Sequence, residues 1–161
     1  MKKLMVKILA LMVAVSTIFC FVGCEKEEFY ELSCGITIML EGGFKEVQVE
    51  NTTCALESQN VLFTALKEPY TNFGESVNVN TFSTYDYANA IISANGFVGA
   101  QPQNGSSGVT YFEFVQDGFY NYITCHKSGS DYWCCRFMCV EANKDNYAEK
   151  FANWSSTILF M

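Results

Sequence analysis

This 161-residue chain predicts an α+β domain, an antiparallel sheet of about six to seven strands flanked by two main helices. Three observations carry the prediction. Apolar residues alternate with a period of two over residues 34–49. A late block of apolar segments is punctuated by Asp117-Gly118 and Ser128-Gly129-Ser130, both tight-turn signals. Two stretches, after Ser83 and after Lys144, switch to helical spacing. Hairpins interrupted by single helices mark helices laid on an antiparallel sheet.

The elements follow in order. Ile36, Ile38 and Leu40 alternate with Thr37 and Met39 and read as a strand, which Gly42-Gly43 turns into a second one ending near Val49. Residues 60–67 form a third apolar run, bounded by Pro69. A polar loop over 69–80 carries Tyr70 and Phe73. Ser83 with Asp86 three residues on is a capping pair, Phe82 is placed to staple against Tyr87, and Ala88, Ile91 and Ile92 recur at helical spacing. Gly96 suits a left-handed helix end. Residues 100–107 read as a turn. Strands 109–116, 119–127 and 132–140 then form a meander. A last helix spans about 144–155 with Tyr147, Phe151 and Trp154 on one face, and Ile158, Leu159 and Phe160 close the chain as a short strand.

The first 24 residues carry an address. Lys2, Lys3 and Lys7 precede an uncharged run over residues 8–23, the layout of an export signal. The run is shorter than the roughly 20 apolar residues that span a bilayer comfortably. Phe21-Val22-Gly23-Cys24 resembles the cleavage box of bacterial lipoproteins, with Phe21 where Leu is usual. The resemblance implies cleavage before Cys24 and lipidation of its sulfur. The expected organisation is therefore a signal peptide over 1–23, an acidic tether over 24–32 and a folded domain over 33–161. The expected localisation is the extracytoplasmic face of the cell membrane, held by lipid on Cys24. Two acyl chains hold where one exchanges, at about 0.8 kcal/mol per buried methylene.

Composition narrows the function. Removing residues 1–23 leaves seven basic against 17 acidic residues, a net charge of −10. Such a surface disfavours nucleic acid and adsorption to anionic lipid. No phosphate loop, Gly-x-Ser-x-Gly elbow or metalloprotease helix is present.

Ala65-Leu66-Lys67-Glu68, Tyr87-Ala88 in the middle helix, Trp133 with Phe137 in the late strand, and Phe151 to Trp154 before a final strand resemble PsbP-like domains. The likeness covers roughly residues 33–161 and implies an α/β/α sandwich. It implies no single activity, because relatives include photosystem extrinsic subunits, small-GTPase binders and bacterial lipoproteins.

Six cysteines remain once Cys20 is discarded with the signal and Cys24 is acylated: Cys34, Cys54, Cys125, Cys134, Cys135 and Cys139. An exported chain permits disulfides. With Gly129-Ser130 as a two-residue turn, paired positions place Cys125 opposite Cys134, the candidate disulfide, although a directly cross-strand bond is often strained. Cys135 and Cys139 share a strand face about 13 Å apart and cannot bridge each other. Buried free thiols are the alternative. Zinc is disfavoured because Cys134 and Cys135 face opposite sides of the sheet and no Cys-x-x-Cys knuckle exists, so no metal or other cofactor is expected.

Two function classes stand. The first is a non-enzymatic binding or accessory domain beside the membrane, using the 69–80 loop with Tyr70 and Phe73 against a protein or small-molecule partner. The second is a thiol-dependent enzyme or redox protein using Cys135 as nucleophile and His126, the one histidine, as base. In the first class His126 is a hairpin-end residue stacked on Trp133, and Glu68, Glu75 and Asp86 are surface charges.

Overall fold

The computed structural model describes residues 26–73, 78 and 80–161. The signal segment and Cys24 lie outside the described residues. Among the described residues ten strands and two helices follow one another as β1 (Glu27–Glu31), β2 (Ile36–Glu41), β3 (Lys45–Val47), β4 (Cys54–Glu57), β5 (Val61–Pro69), α1 (Thr84–Asn95), β6 (Gln103–Asn104), β7 (Thr110–Gln116), β8 (Phe119–Ser128), β9 (Asp131–Val140), α2 (Lys144–Ser155) and β10 (Leu159–Phe160). Seven strands make one antiparallel sheet in the order β3-β4-β5-β9-β8-β7-β6, and a second, three-stranded sheet has the order β1-β2-β10. Among the described residues no helix is long and apolar enough to cross a membrane.

The hairpins form where the turn chemistry requires them. Asp117 and Gly118 both take positive φ, 54° and 79°, as a type I′ turn demands, and Gln116 pairs with Phe119 across it. Ser128 pairs with Asp131 around Gly129-Ser130, which sets the whole β8–β9 register, including Cys125 opposite Cys134. Helix α1 opens with the full reciprocal cap: the Ser83 backbone N–H donates to Asp86 Oδ2 at 2.9 Å, and the Asp86 N–H donates to Ser83 Oγ at 3.1 Å. Gly96 ends the helix at φ 65°. Phe82 does not staple directly onto Tyr87. Phe73 sits between them, its ring centroid 5.5 Å from each.

One sequence expectation is corrected and another is extended. Residues 27–31 are not part of a tether. They form β1, pairing with β2 from Glu27↔Glu41 to Glu31↔Thr37. Every side chain of β1 except Tyr30 is exposed, which is why the segment reads as a charged linker; charged residues on an edge strand discourage further pairing. The large sheet has the expected seven strands, and a second, three-stranded sheet stands beside it. Ile36, Ile38 and Leu40 are fully buried, and β2 lays them on one face of the large sheet beside α2.

The two faces of the large sheet are covered differently. Phe63 and Ala65 of β5 and Cys135 and Phe137 of β9 point toward α2 and the small sheet and are wholly buried. Phe137 packs on Phe63 at 4.9 Å and Phe151 at 5.3 Å between ring centroids. A disulfide between Cys34 and Cys54 fastens the approach to β2 onto β4. Closing a loop of 20 residues is worth about 3 kcal/mol in a chain-entropy account. On the opposite face α1 packs chiefly on β7 and β8, burying Tyr87, Ala88, Phe112, Ile123 and Tyr132, and reaches β5 where Tyr87 meets Glu68.

Candidate functional site: a cavity beneath helix α1

The partial cover leaves a cavity of about 620 Å³ between α1, the face of β5–β9–β8 turned toward it, and the 49–52 connection between β3 and β4. That volume falls within the roughly 300–1,000 Å³ typical of small-molecule sites. Its floor is built by strand alternation. β5 and β9 pair Leu62 with Met138, Thr64 with Arg136 and Leu66 with Cys134, and all six side chains face the cavity. Ile91 and Phe97 form an apolar wall opposite.

Three charged side chains belong to this lining: Glu50 at the exposed rim, Glu68 and Arg136. Glu68 closes one end, where the buried Tyr87 hydroxyl donates to its Oε2. Burial drives the Tyr87 phenol far above its ordinary range, so it remains a neutral donor. Arg136 occupies the middle of the floor. Its Nε donates to Asn121 Oδ1 at 2.7 Å, and Asn121 is itself fully buried and fixed by a 2.9 Å bond from Nδ2 to the Phe119 carbonyl. Nη2 meets the Met138 sulfur at 3.3 Å. Among the described residues no carboxylate pairs with this guanidinium, and desolvation lowers its affinity for its proton.

The residues singled out by sequence are distributed differently. Cys125 and Cys134 stand opposite each other in register, yet both thiols are free, and the disulfide joins Cys34 to Cys54 instead. Cys125 is buried in the core beneath α1, whereas Cys134 lines the cavity, and directly opposed strand neighbours rarely meet the dihedral that a disulfide needs. Tyr70 and Phe73 lie at the described start of the candidate binding loop. They form a 3-10 turn at the end of β5 and pack, half-buried, against the α1 core, because a large aromatic gains more from burial than from solvent. Phe73 keeps a place in the cavity wall; Tyr70 has none. Residues 74–77 and 79, which complete that loop and include Glu75, lie outside the described residues.

The Cys135–His126 pair is not assembled. Burial raises the Cys135 thiol well above its usual pKa, and the same cause lowers His126 to about 4. His126 Nε2 meets Thr124 Oγ1 at 2.9 Å rather than the thiol. Its ring packs on Phe160 at 5.2 Å, and Trp133 reaches the same Phe160 at 5.1 Å, so Phe160 takes the stacking place expected of Trp133. Burial pushes Cys134 up to about 12 and raises Cys125 and Cys139 also, which suppresses thiolate at every free cysteine among the described residues. Among the described residues no group of three His, Cys, Asp or Glu side chains gathers as a metal site.

The architecture has counterparts among solved structures. The solution structure of cyanobacterial PsbP (CyanoP) from Synechocystis sp. PCC 6803 superposes with a TM-score of 0.57 at 11% identity, over 88% of this chain and 96% of that one. This chain has a PsbP-like fold. A Bacteroides thetaiotaomicron protein matches with a TM-score of 0.52 at 10% identity over 83% of this chain, which spans about half of that protein, 48%. No protein-family model matches the sequence, and no curated protein does. At such identities the likeness establishes the fold and transfers no site residue.

Arg136 and Glu68 escaped notice as site residues in the sequence. The available signal was a single charge, Arg136, among the apolar residues of Tyr132–Val140, on the alternate face from Cys135 and Phe137. Recognising the cavity also required the β5–β9 pairing, which joins residues about 70 positions apart.

Proposed function

We propose that this protein is a non-enzymatic binding domain, held on the extracytoplasmic face of the cell membrane by lipid on Cys24, which takes a small ligand beneath α1. The observation carrying the binding role is the 620 Å³ cavity, open on one face of a sheet whose other face is sealed. The PsbP-like fold is compatible with an accessory role. Against a thiol enzyme stand the suppressed thiolates and a histidine that stays neutral above about pH 4 without contacting a nucleophile.

The anchor is supported by Lys2, Lys3 and Lys7 ahead of the uncharged run and by Gly23 before Cys24. It is tested by mass spectrometry of the full-length protein expressed in a bacterium and recovered from membranes. A diacylglyceryl adduct on an N-terminal Cys24 is expected, with Cys24→Ser leaving the peptide unlipidated. A bare thiol with the wild-type protein shed into the medium would overturn the anchoring. Native mass spectrometry of the same preparation is expected to show a co-purifying small molecule lost on Ile91→Trp, a substitution that fills the cavity.

A further inference from the structure

Resting on that binding role, we propose that the ligand is an amphipathic anion, a carboxylate on an aliphatic body, with its headgroup on Arg136. Four features of the cavity point to this class. First, Arg136 is a permanent cation set into an apolar floor, and among the described residues no carboxylate neutralises it. A half-buried guanidinium without a counter-ion is costly, and a bound anion removes that cost. Second, Arg136 is held in place. Nε is committed to Asn121, whose own amide is tied to the Phe119 carbonyl, so the Nη groups keep a fixed position from which to meet a carboxylate's two oxygens.

Third, the floor on either side of the guanidinium is hydrocarbon or sulfur. Leu62 and Met138 lie on one side, Leu66 and Cys134 on the other, with Ile91 and Phe97 above. From Leu62 to Glu68 the floor runs about 20 Å at roughly 3.3 Å per residue, which suits an extended chain better than a compact polar solute. Fourth, the remaining charges favour this orientation. Glu68 sits four residues beyond Thr64 on β5, about 13 Å from the strand position paired with Arg136, and its Oε2 is occupied by Tyr87. Glu50 stands exposed at the rim and forms no ion pair with Arg136. Among the described residues the lining holds no second positive charge, which an inorganic phosphate or a polyanion would exploit.

The test uses membranes carrying the full chain and two photoreactive probes, a diazirine-bearing decanoate and the matching decanol, with crosslinked peptides identified by mass spectrometry. The expected result is decanoate labelling of peptides from β5 and α1 roughly tenfold above decanol labelling, the scale of one charge-assisted hydrogen-bonded contact. Unlabelled decanoate should compete and decanol should not. Arg136→Gln should bring decanoate down to the decanol level, with Arg136→Lys recovering part of the difference. Equal labelling of the cavity by acid and alcohol in the wild-type protein overturns the anion assignment and leaves the binding role intact. Absence of cavity labelling by either probe overturns the binding role itself. The wild-type comparison of acid with alcohol decides the matter even where an Arg136 variant fails to fold.

Discussion

The two faces of the seven-stranded sheet are made from the same strands, yet they do different work. On β5 and β9 the odd-numbered residues Phe63, Ala65, Cys135 and Phe137 are completely buried under α2 and the small sheet. Their even-numbered neighbours Leu62, Thr64, Leu66, Cys134, Arg136 and Met138 line a cavity that α1 covers only partly. Chemistry follows cover. The sealed face holds a continuous aromatic stack running from Phe63 through Phe137 and Phe151 to Trp154. The open face keeps a guanidinium, a carboxylate and two sulfur side chains within reach of solutes. One sheet can therefore separate stability from recognition, because strand alternation sends neighbouring residues to opposite sides.

Substitutions on the two faces should diverge accordingly. Phe137→Ala is expected to cost about 3–5 kcal/mol by guanidinium denaturation, since the cavity it leaves is walled by rings that cannot all collapse inward. A loss near 1 kcal/mol would mean the sealed face is far looser than its burial indicates.

The second effect is pH-dependent and also belongs to the sealed side. The unfolded chain takes up a proton on His126 near pH 6.5, whereas the folded protein resists until about pH 4. Between those values protonation favours unfolding, so the stability contributed by neutral His126 is complete above pH 6.5 and declines as pH falls toward 4. The difference is on the order of 3 kcal/mol, and His126→Gln should flatten that segment of the unfolding free energy against pH. Parallel curves for the two proteins would contradict the burial of this ring.

On the open side the effects shrink. Ser83→Ala removes the oxygen that accepts from the Asp86 N–H and should cost about 1 kcal/mol, seen as a lower Tm with an unchanged fold by circular dichroism. Smallest is Leu66→Ala, in a floor position already 37% exposed, at about 0.5 kcal/mol or less. That variant should nevertheless weaken decanoate labelling, which distinguishes a surface built for contact from one built for packing.

Local signals in the chain foretold the parts of this architecture that depend on local physics. Asp117-Gly118 and Gly129-Ser130 determine the meander because positive φ and loop length decide the register. Ser83 with Asp86, and Phe151 with Trp154, mark helices whose ends and faces are written within a few residues. Strand β1 was hidden, because Glu-Glu-Phe-Tyr-Glu has the composition of a linker and becomes a strand only by pairing with β2. β4 and β6 are four and two residues long, below what alternation can resolve. The Cys34–Cys54 bridge depends on how one sheet is laid on the other, which no spacing of cysteines encodes. The cavity is the extreme case: Leu62, Thr64 and Leu66 read as the ordinary outward face of a strand until β9 brings Arg136 beside them.

Strand β1 has one more effect. With lipid on Cys24, only Glu25 and Lys26 separate the acyl chains from pairing that begins at Glu27, a reach of about 10 Å. So short a mooring would keep the molecule from wandering into the surrounding space and would hold its three-stranded side near the bilayer. The cavity, across the larger sheet from that side, would then face away from the lipid, and a solute entering it would come from the medium.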